Sequence, residues 1–199
     1  DYELHQWSTF WYYDETVVGQ TLHPYTSYDI DNQIMMNGWK SPVSLATPLI
    51  PLQGYTVQIN GGTTADITGT VNNGSVNINI THTSSLGQGP DAKDSHDGWN
   101  LLGNPYPSPI DWDAASGWTK PAGLENAIYV FQPTTQYKGF YKSWVNGVST
   151  PVGFSSIIPA MQAFFVRTTA NGNIACNNYV RVTDLTANSS FHKKNSINK

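Results

Sequence analysis

Apolar and polar residues alternate with a period of two along several short runs of the chain. Residues 55–59 read Tyr-Thr-Val-Gln-Ile, and residues 76–80 read Val-Asn-Ile-Asn-Ile. This period places apolar side chains on one face of a β-strand and polar side chains on the other. Asn- and Gly-rich hairpin signals lie between the two runs, at residues 60–62 and 72–74. The pattern predicts a three-stranded meander over residues 52–82.

Other runs rich in aromatic and β-branched residues predict seven further strands. These strands cover residues 9–14, 99–103, 127–131, 139–144, 162–168, 173–177 and 179–183. One short helical turn is predicted at residues 110–117, with Ser108 or Asp111 as its N-cap. Many short strands with little helix favour an all-β fold, a β-sandwich or jelly roll of antiparallel strands.

Two stretches of the chain resemble each other, which indicates two related halves. Residues 49–57 match residues 157–166 if one inserted residue is allowed, and an aromatic run precedes each copy. Pro51 and Pro159 are predicted to begin equivalent strands, where a missing N–H costs least. We interpret residues 1–190 as one sandwich domain with halves 1–83 and 98–190 joined by a loop at 84–97, and residues 191–199 as a flexible tail or linker.

Composition and charge narrow the classes of function. Charged residues make up 12% of the 199 residues and aromatic residues 13%, with 7 Trp and 11 Tyr. A net charge of -4 leaves no basic patch for nucleic acid, and no apolar run reaches the roughly 18 residues of a membrane span. Cys176 is the single cysteine, so it cannot form an internal disulfide, and we interpret it as a small apolar strand residue.

The most distinctive segment is residues 98–112, which read Gly-Trp-Asn-Leu-Leu-Gly-Asn-Pro-Tyr-Pro-Ser-Pro-Ile-Asp-Trp. Its three prolines fix φ at their own positions and hold the residues before them extended. The segment therefore predicts a strand that runs into a rigid corner, with Tyr106 and Trp112 buried as anchors.

This segment resembles a signature of secreted Bacteroidetes proteins, in which it occurs in a β-rich region just ahead of a type IX secretion sorting domain. The resemblance extends to residues 13–16, 51–55, 158–166 and 180–182, and it covers most of the chain. It implies export and display or release outside the cell. It does not imply a reaction, because such regions occur in large proteins of differing function.

Motifs of common enzymes are missing from the sequence: it has no H-E-x-x-H, G-x-S-x-G, P-loop or G-x-G-x-x-G pattern. The histidines are scattered without metal-ligand spacing. Carboxylates that a glycosidase would use are formally available, and we interpret them as solvated loop groups. They are Asp14, Glu15, Asp111, Asp113 and Glu125. We expect no enzymatic activity.

One loop carries a possible metal site. Asp91, Asp94 and Asp97 lie within seven residues, and hard carboxylate oxygens suit Ca²⁺. Lys93 sits inside the run and the glycine of an EF-hand is missing, so a solvated loop is the alternative.

Aromatic residues are the most informative chemistry, because ring faces can stack on the C–H groups of sugars. We expect Trp99 and Trp112 in the core and Trp39, Trp118 and Trp144 nearer the surface. Residues 136–144 alternate rings with polar groups, so one face of this run could stack a sugar. The predicted ligand-binding residues are Trp39, Trp118, Gln136, Tyr137, Tyr141, Lys142 and Trp144.

Two functions are consistent with these patterns. The first is a non-catalytic extracellular module that binds polysaccharide or a cell-surface glycan through exposed aromatic rings. The second is a structural or adhesive domain of a larger surface protein, which contacts other surface proteins or copies of itself through its strand edges.

Overall fold

The chain forms an all-β structure, as its alternating pattern predicts. The computed structural model describes residues 10–15, 39–40, 47–57, 69–83, 97–134 and 138–183. The strands are β1 (Phe10–Tyr13), β2 (Trp39–Lys40), β3 (Thr56–Val57), β4 (Val76–Ile80), β5 (Trp99–Gly103), β6 (Ile110–Asp111), β7 (Trp118–Thr119), β8 (Ala127–Pro133), β9 (Gly139–Val145), β10 (Val148–Thr150), β11 (Ile157–Ile158), β12 (Ala163–Arg167) and β13 (Gly172–Cys176). None of the described residues belongs to a helix long and apolar enough to cross a membrane.

The largest sheet has the strand order β10-β9-β8-β12-β5, and every neighbouring pair is antiparallel. Its longest hairpin pairs β8 with β9 in unbroken register, from Ala127 opposite Val145 to Pro133 opposite Gly139. Asn146, at φ 49°, and the glycine after it close the next hairpin, because both central residues of that turn need positive φ.

One face of this sheet packs against the three-stranded sheet β4-β13-β7 and forms a β-sandwich. Alternation along each strand sends every second side chain into the space between the two sheets. The buried residues of this core include Ile80, Leu102, Ile128, Val130, Phe164, Val166, Ile174 and Cys176. The interpretation of Cys176 as a buried apolar strand residue is confirmed, because it is 2% exposed.

Asn104 organises the proline corner that follows β5. Its Nδ2 donates to the carbonyls of Ser108 and Pro159, both at 2.9 Å, and its Oδ1 accepts from the N–H of Tyr106 at 2.9 Å. Tyr106 is 2% exposed and Trp112 is 0% exposed, which confirms both as buried anchors.

A third small sheet, β2-β1-β3, lies over the other face of the large sheet. The rings of Tyr13 and Trp39 contact Phe165 of β12, with centroids 5.6 and 6.1 Å apart. Glu15, just after β1, accepts a hydrogen bond from the N–H of Gly98. A side chain at position 98 would overlap the carbonyl oxygen of Thr168, so this close approach requires glycine.

Two local predictions are wrong. Residues 110–117 do not form a helical turn, because Ile110–Asp111 is strand β6 and pairs with β11. The run 179–183 is not a strand: Asn178–Val180 forms a single 3₁₀ turn that is capped by the side chain of Asn177.

Longer-range pairing also differs from the predicted arrangement. β3 pairs with β1 and β4 pairs with β13, so the outer strands of the predicted meander belong to different sheets. Residues 65–68 of its expected middle strand lie outside the described residues, and residues 69–70 belong to no strand. Pro51 and Pro159 belong to tight turns and do not begin strands. The two copies of the repeat lie on opposite sides of β5. On one side Gln53 forms a β-bridge with Leu102, and on the other side β12 pairs with β5.

Candidate functional site

Strand register gathers aromatic side chains on the face of the large sheet that lies opposite the sandwich core. Tyr129 lies opposite Phe165, and Phe131 lies opposite Tyr141. The period of two keeps these rings on one face, because Val130 and Phe164 between them point into the core.

Seven rings form a continuous cluster, which we call the aromatic platform. Its members are Tyr13, Trp39, Trp99, Tyr129, Phe131, Tyr141 and Phe165. All the measured contacts are edge-to-face, with centroids 5.0 to 6.2 Å apart. This geometry is favourable for aromatic pairs and fixes each ring against its neighbours.

The platform is covered at one end and open at the other. Tyr13 and Trp39 from the third sheet cover Phe165, while Tyr141 is 53% exposed and Phe131 is 45% exposed. Tyr141 contacts both Phe131 and Phe165, at 5.3 and 6.1 Å, and so joins the open end to the covered end.

The phenol groups of the platform stay protonated across the physiological pH range. Burial, together with the nearby carboxylates of Glu15 and Asp14, raises the pKa of Tyr13 to about 12. Burial also raises the pKa of Tyr141. Each hydroxyl is therefore neutral and can donate or accept a hydrogen bond.

Glu15 holds the third sheet at the edge of the platform. Its carboxylate is 1% exposed and accepts the N–H of Gly98. Burial raises the pKa of Glu15 to about 7, against the opposing effect of hydrogen bonds from the backbone of Gly98 and Thr83. Asp97 lies close enough to raise this pKa further.

The structure brings together two of the predicted ligand-binding residues, Trp39 and Tyr141, which both contact Phe165. Gln136 and Tyr137 lie outside the described residues. Lys142 lies opposite Val130 and points to the other face of the hairpin, so it does not share the face of Tyr141.

The prediction that Trp144 lies near the surface is wrong. It is only 6% exposed and lies opposite the fully buried Ile128, so it belongs to the sandwich core. Its polar neighbours in the sequence suggested a surface position, but the register with β8 turns its indole inward.

Trp118 lies on another sheet, away from the platform. Its Nε1 donates to the carbonyl of Asp111 at 2.8 Å, and its ring packs on Trp112 at 5.1 Å. Lys120 donates to the carbonyl of Trp112 at 2.9 Å and lies 3.8 Å above the Trp112 ring centroid. Burial lowers the pKa of Lys120 to about 8.

Only one of the three predicted metal ligands lies within the described residues. Asp91 and Asp94 lie outside them, while Asp97 is buried and its carbonyl accepts from Arg167 Nε at 3.0 Å. Within the described ranges, no three His, Cys, Asp or Glu residues are grouped so that they could hold a metal ion. Glu125 forms an ion pair with Arg167 at 3.6 Å.

Sequence reasoning did not assign Tyr13, Tyr129, Phe131 or Phe165 to a site. The signal that could have found Phe131 is the short separation between the runs 127–131 and 139–144, which suits a hairpin with facing aromatic residues.

Comparison with models of sequence families identifies the family of this chain. A family model described as "Domain of unknown function (DUF8693)" matches residues 8–199, and the chain belongs to that family. Neither a curated protein nor a solved structure matches the chain.

Proposed function

We propose that this member of the family is a non-catalytic extracellular module that binds polysaccharide or a cell-surface glycan through the aromatic platform. The observation that carries the proposal is the exposed pair Phe131 and Tyr141, held at the open end of a cluster of seven rings. Sugar rings present C–H groups that pack on aromatic faces, and their hydroxyls can bond to a neutral phenol.

The rigidity of the platform supports binding. Tyr141 contacts Phe131 and Phe165, and Phe165 is covered by Tyr13 and Trp39. A side chain that is already ordered loses little entropy when a ligand arrives, so more of the contact energy is available for affinity.

The test is binding of the protein to a broad panel of plant, algal and microbial polysaccharides, measured by affinity gel electrophoresis and calorimetry. We expect Tyr141→Ala to weaken binding about tenfold, equivalent to about 1.4 kcal/mol. Tyr179→Ala is the matched control, because Tyr179 is 78% exposed and lies outside the platform. Absence of binding across the panel, or equal losses in both variants, would contradict the proposal.

Two companion measurements address chemistry and cations. We propose that the module binds without catalysis, so incubation with each bound polysaccharide should release no reducing ends. The calcium expectation at Asp91, Asp94 and Asp97 is tested by repeating the titration with Ca²⁺ and with a chelator. A cation-dependent affinity would support that expectation.

One observation favours the alternative of a structural or adhesive domain. Among the described strands, β10 ends the five-stranded sheet, and it carries Val148 at 68% exposure, followed by Val152 at 97%. Uncharged apolar edge strands can pair with other chains. Concentration-dependent assembly in size-exclusion chromatography without any glycan, weakened by Val148→Lys, would favour this second function.

A further inference from the structure

Exposed apolar side chains occupy both faces of the large sheet at the end where the β8–β9 hairpin closes. Phe131 and Tyr141 lie on the platform face and are 45% and 53% exposed. Phe140 lies on the core-facing side and is 46% exposed. On that side Val130 and Trp144 are buried in the sandwich, but the cover of the second sheet does not reach Phe140. A glycan on the platform face therefore leaves the Phe140 ring in water.

The turn after β10 adds another apolar side chain at this end of the sheet. β10 runs antiparallel to β9 and ends with Thr150 opposite Ser143, two residues from Tyr141. In the turn that follows, Val152 is 97% exposed. We call the following residues the sheet tip: Phe131, Lys138, Phe140, Tyr141 and Val152. A group of exposed apolar side chains of this kind marks a contact surface.

The charge of the chain around the sheet tip indicates the kind of partner. All 14 acidic residues lie outside residues 126–183, although this segment contains four of the 10 basic residues. Two of the four, Lys138 and Lys142, lie in the β8–β10 part of the sheet. Lys138 is exposed and lies directly before β9. Since the net charge of the whole chain is -4, an anionic surface attracts the protein at this segment and repels it elsewhere.

We propose that the sheet tip binds the surface of a phospholipid bilayer that contains anionic headgroups. A bilayer surrounds an inserted tip, so it contacts Phe140 and Tyr141 together although they point to opposite faces. Aromatic rings enter the interface between headgroups, and a lysine such as Lys138 keeps its amine near the phosphates. This inference goes beyond the proposed function, because it concerns a different ligand and depends on Phe140 and Val152, which do not belong to the aromatic platform.

The test is sedimentation of the full chain with two kinds of vesicle. One kind is phosphatidylcholine alone, and the other contains about 30% phosphatidylglycerol, which makes its surface negative. We expect binding to the anionic vesicles and at least about fivefold weaker binding to the neutral ones. We also expect the affinity for the anionic vesicles to fall when NaCl is raised from about 50 mM to about 500 mM, because salt screens the attraction.

Two matched pairs of variants locate the contact. Phe140→Ala should weaken binding to anionic vesicles about fivefold, whereas Tyr179→Ala, which removes a 78% exposed ring elsewhere, should weaken it less than about twofold. Lys138→Gln should also weaken it about fivefold. Thr119→Glu lowers the net charge by the same amount at an exposed position of β7, and it should weaken binding less than about twofold.

A fluorescent label shows which surface enters the lipid. Cys176 is the single cysteine and is 2% exposed, so a thiol-reactive, polarity-sensitive fluorophore selects a cysteine introduced at an exposed position. We expect the emission of the label in the Val152→Cys variant to shift to shorter wavelength when anionic vesicles are added. The emission of the label in the Tyr179→Cys variant should not shift.

The outcomes separate this inference from the proposed function. The inference is overturned by a lack of binding to anionic vesicles, by a shift in Tyr179→Cys instead of Val152→Cys, or by equal losses within either pair of variants. A protein that binds anionic vesicles through Phe140 but binds no polysaccharide would keep this inference and overturn the proposed function. Polysaccharide binding that depends on Tyr141, without any binding to vesicles, would do the reverse.

Discussion

Replacing Glu15 with glutamine should make the protein more stable at pH 8 and leave it nearly unchanged at pH 4.5. Glu15 is 1% exposed, and its Oε2 accepts the N–H of Gly98. The amide oxygen of glutamine can accept the same hydrogen bond. Oε1 accepts no hydrogen bond from the described residues, so an NH₂ group can take its place without breaking one.

The size and sign of the change in the free energy of unfolding follow from the pKa of Glu15, which burial raises from 4.5 to about 7. Between these values the unfolded chain loses this proton while the folded chain keeps it, so the unfolded state binds fewer protons and the free energy of unfolding falls as pH rises. This group's stabilising effect is complete below pH 4.5 and is lost above pH 7. At about 1.4 kcal/mol per pKa unit, the wild type loses about 3 kcal/mol across this window, and the Glu15→Gln variant does not.

The assay is urea denaturation followed by tryptophan fluorescence, at intervals from pH 4.5 to pH 8. Asn77→Ala is the control, because it removes an exposed side chain that carries no ionisable group. The difference between wild type and Glu15→Gln should grow with pH, and the difference between wild type and Asn77→Ala should not. A Glu15→Gln difference that is constant with pH, or a variant less stable than wild type at pH 8, would refute the reasoning.

Three further predictions concern the proline corner, two turn residues with positive φ and the amine of Lys120. Asn104→Ala should destabilise the protein by about 2–4 kcal/mol in urea denaturation, because it leaves buried partners of Asn104 unpaired; a loss no greater than that of the exposed Asn77→Ala would contradict this. Met161→Gly should raise the urea midpoint by the equivalent of about 0.5 kcal/mol, because Met161 has φ 62° and is 72% exposed. Leu52→Gly should lower the midpoint, because Leu52 also has positive φ, at 69°, but its side chain is buried. A lower midpoint in both variants would contradict this reasoning. The amine of Lys120 should titrate near pH 8 by NMR, with its signal assigned through Lys120→Arg, because burial lowers its pKa; a midpoint above pH 10 would be inconsistent with its position over the Trp112 ring.

Local patterns predicted most of the strands, and long-range pairing decided the rest. Residues 99–103 were predicted with their observed bounds, because this run is rich in aromatic and aliphatic residues and the prolines that follow it end the strand. Residues 110–111 form strand β6 only because β11 lies beside them, and no local signal reports partners that are 46 and 48 positions away along the chain.

The candidate site was likewise predictable where it depends on local sequence and unpredictable where it depends on strand pairing. The composition indicated surplus aromatic residues, and Tyr141 was among those selected. Its partners Phe131 and Phe165 were not, because their shared face depends on the register of three strands. Trp144 was placed at the surface on the character of its neighbours, and one step of alternation from Ser143 turns it into the core.

The pairing of β4 with β13 has a consequence for how the chain is made. Asn77 and Asn173, which join these strands on their outer side, are separated by 96 positions, and Glu15 reaches Gly98 across 83. Contacts between residues so far apart in the sequence form slowly during folding. The two sheets of the sandwich cannot bury their facing sides until the last strand has been synthesised. A nascent chain that ends before Gly172 therefore cannot complete the β4-β13-β7 sheet, and the core-facing side of the large sheet stays uncovered until β13 has been made.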